Sequence, residues 1–309
     1  MSRGRAACAG LARWRRALVP ALPMLWLCAL FLLPFAIIAR IALSTATKAQ
    51  PPYLPVFDIG AGWARFREDL AALELANFRL IAEDSLYLLS LLSSLRLAAI
   101  ATLILLLICY PLAIALARLP ARLRPLALML VILPFWTSFL IRIYAWVGIL
   151  RHDGYLNALL QGLGLTTAPV GFLDTDGAII LGIVYAYLPF MALPVFAAVD
   201  RLDPALHEAA QDLGCPPWRQ FWAVTLPLTL PGAMAGCLLV FIPAVGEVII
   251  PDLLGGSGTL TIGRTLWAEF FANGDWPLAS ALTILLLLAL LPPLLAWRAL
   301  EARQWRGRS

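Results

Sequence analysis

Residues 200–231 read DRLDPALHEAAQDLGCPPWRQFWAVTLPLTLP, a polar island between two long apolar stretches. Asp203 followed by Pro204 has the form of an N-cap with proline at the first helical position, where its missing N–H costs nothing. Leu202, Leu206, Ala210 and Leu213 recur at helical spacing, and Gly214 supplies the residue that takes positive φ just past a helix end. The start and stop signals predict a helix of about ten residues. Pro216 and Pro217 cannot continue it. They can open a second helix through Trp218, Phe221, Trp222 and Thr225, which Pro227 must end or kink. A surface-lying amphipathic helix shares this periodicity, but the small residues beside Glu208 and the glycine elbow favour close docking of another protein.

Around the island, composition sets the class. The chain has 309 residues, 62% hydrophobic and 13% charged, with a mean hydropathy of +0.87; average soluble chains carry about 25% charged residues. This predicts an all-α polytopic membrane protein. Six apolar stretches approach the roughly 20 residues that a bilayer core requires: Leu18 to Ala39, Leu88 to Ala117, Leu126 to Leu150, Ala178 to Val199, Ala233 to Ile250 and Pro277 to Trp297. The second is over-long and begins outside the membrane. The first is too long for a signal-peptide core and lacks a small-residue cleavage site before Lys48, so it reads as a span. The expected organisation is an N-terminal tail (1–17), a six-helix membrane domain (18–297) carrying the island at 200–231, and a C-terminal tail (298–309).

Arginine sets the orientation. Arg3, Arg5, Arg13, Arg15 and Arg16 precede the first span, Arg118, Arg122 and Arg124 follow the second, and Arg298, Arg303, Arg306 and Arg308 follow the last. These segments face the cytoplasm by the positive-inside rule, which puts both termini and the Glu208 island inside. On this assignment the outer side carries twelve acids and six bases, the cytoplasmic side five acids and fourteen bases. The net charge of +5 then reflects topology and anionic lipid. Nucleic acid is excluded as a partner, because the bases are split among separate loops with no soluble domain to carry a groove.

Several chemistries are missing. The five cysteines, Cys8, Cys28, Cys109, Cys215 and Cys237, fall in spans or on the cytoplasmic side, so no disulfide framework is implied. No CxxC or His-rich spacing marks a metal site, and no cofactor is expected. The only lysine, Lys48, lies in an outer segment, so there is no GxxxxGK[ST] loop and ATP hydrolysis must come from a partner. An intramembrane enzyme would need a nucleophile and a base at one depth, yet neither His152 nor His207 lies in a span. A secondary transporter would leave the island unexplained and no internal repeat is visible. The longest outer loop, Ser44 to Tyr87, has Pro51, Pro52 and Pro55 for extended chain and a surface helix between Gly62 and Leu80.

Within the spans, Glu247 is the one acid, flanked by Gly246 and followed by Pro251. A carboxylate at that depth costs a few kcal/mol in lipid, so it faces a cavity or a partner and is functional by default. Arg142, in the outer half of the third span, can reach its level. A structural Arg142–Glu247 pair therefore stands beside the alternative that Glu247 lines a substrate path. Arg40 and Arg96 read as snorkelling or pairing near the outer boundary. Trp136, Tyr144, Trp146, Tyr185 and Tyr187 could ring a cationic ligand, or serve as interface anchors and packing residues.

The arrangement Glu208-Ala209-Ala210, three residues, Gly214, then Leu226-Pro227 resembles the EAA loop of the membrane subunits of ABC importers. The segments PFWTSFLIRIYAWVGIL (134–150), YAYLPFMALPVFAAVDRLDPALHEAAQDLG (185–214), GEVIIPDLLGG (246–256) and TIGRTLWAEFFANGDWPLASAL (261–282) resemble the permeases of spermidine/putrescine ABC importers, the putrescine branch being the closer match. The likeness runs from about Asn77 onward. It departs where relatives often have Gly-Glu-Phe and this chain has Gly246-Glu247-Val248, and at Ser93, where an Asn is common. It implies the type I, methionine-importer-like fold, with five core helices and a peripheral N-terminal one. It also implies a second homologous permease, two ATPase subunits and a periplasmic polyamine-binding protein. By the same resemblance Asp203, Glu208, Ala209, Ala210 and Gly214 couple to the ATPase. Glu247, with Tyr144, Trp146 and Tyr185, is the expected path for a positively charged amine. Another ligand, such as an opine, a different organic cation or a metal chelate, is compatible with the same loop.

Overall fold

The computed structural model describes residues 3–57 and 62–306, with side chains over 20–21, 23–57 and 62–299. Arg3, Arg5, Arg13, Arg15, Arg16, Arg303, Arg306, Arg308, Cys8 and Asp58 have side chains outside that set. The elements in order are α1 (Arg3–Ala42), β1 (Thr45–Ala46), β2 (Tyr53–Leu54), α2 (Trp63–Ala71), α3 (Ala76–Glu83), α4 (Ser85–Arg118), α5 (Arg124–Ile132), α6 (Phe139–Leu150) and α7 (Tyr155–Gly162). There follow α8 (Asp176–Asp200), α9 (Pro204–Asp212), α10 (Pro217–Gln220), α11 (Leu226–Val245), α12 (Ile249–Leu254), α13 (Ile262–Trp267) and α14 (Trp276–Arg306).

Among the described residues five helices are long and apolar enough to cross a membrane, and a bent pair makes up to six. Two of the expected spans are not single helices. The stretch expected at 126–150 is α5, a 3-10 turn at Leu133–Trp136 and α6, bent by 85°. Pro134 has no N–H to continue the ladder, and the Thr137 hydroxyl donates to the Pro134 carbonyl at 2.7 Å, closing a local turn. The stretch expected at 233–250 begins earlier and ends at Val245, capped by Gly246, so Glu247 sits in a break and not in a helix. Pro227 does not end the helix that precedes it. A π turn at Phe221–Thr225 shifts the bond register, and the proline falls in the first turn of α11, where a missing donor is harmless. The single surface helix expected between 62 and 80 is two helices, α2 and α3.

The chain forms two compact units. The smaller comprises Met1–Glu83 with Glu269–Leu285. Its α1 carries the first span, Pro23–Ala42, of which the most apolar stretch has no residue buried. A short hairpin follows, pairing Thr45 with Leu54 and Ala46 with Tyr53. Tyr53 holds the unit together: its hydroxyl accepts from Arg40 Nη2 at 3.0 Å and its ring lies 6.3 Å from that of Trp276.

The larger unit, Asp84–Ala268 with Leu286–Ser309, is built on α4, α8 and α11. Leu105, Cys109, Tyr110 and Ala113 of α4 bury against Met191, Ala192, Val195 and Val199 of α8 and Ala233 and Val240 of α11. Lipid supplies no hydrophobic drive for helices to associate, so small residues that allow backbones to approach carry the packing. A Cβ on Gly232 would lie 2.4 Å from the Ala198 Cβ, and one on Gly236 would lie 2.9 Å from the Met191 sulfur. Tyr110 and Thr229 hydroxyls meet at 3.0 Å across α4 and α11. Arg96 of α4 pairs with Asp176 at the start of α8, and Arg124 with Asp200 at its end, at 2.6 Å.

Replacing Gly232 with Ala should force α8 and α11 apart at a cost of about 1–3 kcal/mol. Gly148→Ala, whose added methyl meets nothing within 4 Å, should cost nothing. Thermal unfolding of the two purified variants in detergent checks this, and equal melting temperatures would remove close helix approach as the packing principle.

Candidate functional site

Two places gather the residues singled out above. The first is the island. Asp203 Oδ1 accepts from the Ala205 N–H at 3.0 Å, so the N-cap forms as its residues require, and Pro204 opens α9. At the other end Gly214 stands at φ +73°, and the Cys215 N–H reaches back to the Ala210 carbonyl at 3.0 Å, the 6→1 bond of a glycine-terminated helix. Nothing lies within 4 Å of where a Cβ on Gly214 would be, so backbone conformation alone asks for glycine there.

Helix α9 is tied back to its own unit on one side only. His207 Nε2 meets the Thr225 hydroxyl at 3.1 Å, and Gln220 Nε2 donates to the Cys215 carbonyl at 2.9 Å. Behind these ties is a cavity of about 510 Å³ bounded by Arg118, Arg124, Asp200, His207, Glu208 and Thr225. Helix α9 buries no residue: Glu208, at the cavity's edge, and Ala209 are exposed, Ala210 is half-buried, and Leu213 beyond the helix is 87% exposed. Leu213, the two alanines and the Glu208 carboxylate together leave this stretch of the island uncovered among the described residues.

The second place is the break after α11. Glu247 Oε1 accepts from the Ile249 N–H at 3.1 Å, satisfying a donor at the start of α12, and Oε2 accepts from the Tyr187 hydroxyl at 2.6 Å. The short Tyr187 bond fixes the carboxyl group's rotation. A cavity of about 720 Å³ opens here, lined by Glu247, Asp252, Tyr144, Trp267, Leu140 and Arg264 among others. Arg264 Nε stands 3.3 Å from Asp252 Oδ1, while its Nη1 donates to the carbonyls of Gly256 at 3.1 Å and Thr259 at 3.2 Å.

Of the path residues expected from sequence, Glu247 and Tyr144 share this cavity. Tyr185 and Trp146 do not line it; their rings lie 5.5 Å apart, with Phe135 at 6.3 Å from Tyr185. The Arg142 guanidinium stacks 4.5 Å over Phe135 and 5.8 Å from Phe139. The structure does not bring it to Glu247, whose two oxygens are held by Tyr187 and Ile249. Asp252, Trp267 and Arg264 line the cavity without having been expected on the path, whereas Tyr187, one of the aromatics read as able to ring a cation, instead holds Glu247. Asp252 is the next acid along GEVIIPD, two residues past the span expected to end at Ile250, and the break at Gly246 brings it back beside Glu247. Gly263 is another unexpected neighbour: a Cβ there would fall 2.5 Å from the Glu247 carbonyl oxygen and 2.8 Å from that of Gly246. Its missing side chain is what lets α13 press against the break.

Membrane-crossing helices around a carboxylate-bearing break, with a short exposed helix displayed on a polar loop, define a membrane permease subunit that works with other proteins. Residues 109–306 match the family described as the binding-protein-dependent transport system inner membrane component, and the chain belongs to that family. It is 47% identical over 192 residues to the spermidine/putrescine transport system permease protein PotB of Haemophilus influenzae, covering 62% of this chain and 67% of that one. It is 45% identical over 217 residues to PotB of Escherichia coli, covering 70% and 79%. The fold matches a chain of a bacterial alginate ABC transporter solved with a pentasaccharide-bound periplasmic protein, with a TM-score of 0.68 at 19% identity over 96% of each chain. It also matches a chain of the inward-facing MetNI methionine ABC transporter, with a TM-score of 0.51 at 18% identity over 70% of this chain and 94% of that one. The methionine-importer-like permease fold expected from the sequence is therefore the fold observed, and the chain is a transport subunit and not an enzyme.

Gly263→Ala should displace the Gly246–Glu247 backbone and lower uptake by the assembled transporter, whereas Gly258→Ala, with nothing within 4 Å of the added methyl, should leave uptake unchanged. Equal uptake by both variants would show that the close approach does not position the carboxylate.

Proposed function

We propose that this chain is a permease subunit of an ABC importer that admits polyamines, with the cavity at Glu247 on the substrate path. The carrying observation is that cavity, where two carboxylates, Glu247 and Asp252, stand with Tyr144, Trp267 and a single arginine, Arg264. A protonated amine leaving water loses hydration, and an acid at that depth offsets part of the loss. Aromatic faces attract the same cation. The names of the PotB relatives support the spermidine/putrescine class.

The proposed arrangement follows from the arginine distribution. Both termini and α9 face the cytoplasm, within reach of ATP, and the Ser44 to Tyr87 loop faces outward. The membrane domain of 18–297 pairs with a second homologous permease. Two ATPase subunits serve the pair, one of them docking the uncovered side of α9 through Glu208, Ala209, Ala210 and Leu213. A periplasmic binding protein delivers the substrate from outside. Asp203 and Gly214 set the pose of α9, so that motion of the ATPase reaches the membrane as rigid-body motion of a short helix.

Glu247→Gln keeps shape and hydrogen-bonding capacity and removes the charge. Losing about 1.4 kcal/mol of stabilisation at the limiting step is a tenfold fall in rate, so uptake of labelled putrescine into proteoliposomes should drop at least about tenfold while the complex still assembles. Unchanged uptake would sink the cation path. Competition by unlabelled spermidine in the same assay reports which polyamine the cavity prefers.

Gly214→Val should strain the elbow by roughly 1–2 kcal/mol, since positive φ is costly for a residue with a Cβ. Binding-protein-stimulated ATP hydrolysis and uptake should then fall together, with membrane insertion intact. Normal transport in that variant would detach the elbow from coupling.

A further inference from the structure

The smaller unit carries a feature that lies outside the proposed path and the coupling island. In α2, Phe66, Leu70, Trp63 and Arg67 fall on one continuous arc of the helix at 100° per residue, while Arg65 and Asp69 fall on the other side. Asp69 is buried, with Arg65 Nε 3.8 Å away, and both border a cavity lined by Thr45, Leu54 and Pro55 of the hairpin region. Among the described residues the apolar arc is largely uncovered: Trp63 is 70% exposed, Leu70 53% and Phe66 37%.

The position of this arc relative to the bilayer can be read from contacts within the unit. Arg40 lies in the last turn of α1, two residues before the span ends at Ala42. Its guanidinium stacks 4.8 Å over Phe57; Phe57 meets Phe66 edge-on at 5.4 Å; Phe66 stacks on Trp63 at 5.3 Å; and Arg67 caps Trp63 at 6.0 Å. A ladder of arginine and aromatic rings thus runs from the end of a membrane span directly onto the exposed arc. The chain just after α2 and the start of α3 are tied to the residues at the span's end. The Glu74 N–H donates to the Leu43 carbonyl at 2.8 Å, and Asn77 Nδ2 donates to the carbonyls of Ala42 and Ser44, each at 2.8 Å.

We propose that α2 is an interfacial helix that lies on the bilayer surface, in the outer leaflet on the orientation proposed above. Trp63, Phe66 and Leu70 sit at the boundary of headgroups and acyl chains, and Arg67 sits among the lipid phosphates. The occupant is lipid because the arc is continuous with the end of a span whose own surface is uncovered, and because aromatic rings with arginine are what the membrane–water interface selects. Glu68, opposite the arc, faces water.

The test replaces Leu70, and separately Trp63, with p-benzoylphenylalanine in the complete importer reconstituted in phosphatidylethanolamine and phosphatidylglycerol, with Glu68 as the comparison position. Both replacements stay apolar, and retained uptake certifies folding. After illumination, with and without the binding protein, mass spectrometry should find phospholipid adducts severalfold more abundant at Leu70 and Trp63 than at Glu68. Adducts to the binding protein or to another subunit in place of lipid would overturn the proposal and make the arc a protein-docking surface. Equal lipid adducts at Leu70 and Glu68 would overturn it as well.

Discussion

In hydrocarbon a backbone N–H or C=O without a partner costs several kcal/mol, so a membrane chain can abandon the helix only where it supplies substitutes. This protein abandons it twice in the larger unit, at 133–138 and at 246–248, and substitutes are present at both. Thr137 turns back onto the Pro134 carbonyl. Glu247 takes the Ile249 N–H, and nearby the Asp174 N–H bonds the Leu254 carbonyl and the Ile262 N–H bonds the Ser94 hydroxyl. At the second break a carboxylate supplies one of the substitutes, beside the Gly246 N–H bonding the Ala244 carbonyl. The candidate site and part of the solution to the backbone problem are one residue.

That economy has a chemical side. A carboxylate held by a phenol and a backbone N–H keeps a fixed direction but still has lone pairs to offer, since each oxygen can accept more than one bond. Asp252 differs, being held by Arg264, which is itself anchored to two carbonyls. One acid of the cavity is held by neutral donors and the other by an arginine. On the proposed path a cation would therefore meet two differently partnered acids, of which only Glu247 lacks a basic partner among those contacts.

Local signals were fully legible in the sequence, and longer-range ones were not. The cap at Asp203, the proline at 204 and the elbow at Gly214 each depend on a few neighbouring residues, and α9 runs almost from end to end as those residues dictate. Hydropathy located the spans but passed over the bends, because a window of apolar residues scores the same whether or not its helix is continuous. Pro134 and Gly246 carried the signal, but proline and glycine are common in membrane helices and do not by themselves announce a break. The partners of Glu247 were beyond local reading altogether. Tyr187 lies 60 residues away, and Gly263 matters only through what it lacks. Arg142 shows the converse: sequence placed two opposite charges at one level, and packing gave the arginine to phenylalanine faces instead.

The π turn at Phe221–Thr225 does not interrupt the helix that contains it, so Pro217–Val245 is one rod of 29 residues. At 1.5 Å per residue it is about 43 Å long. Its lower end is tied to α9 through Thr225 and His207, and its upper end is the residue before Gly246 and Glu247. A rod of that length is a lever. Tilting it by about 5° moves the far end by about 4 Å, more than a hydrogen bond's length. The 2.6 Å contact between Tyr187 and Glu247 joins the segment just past the lever's tip to α8, where a displacement of that size would act.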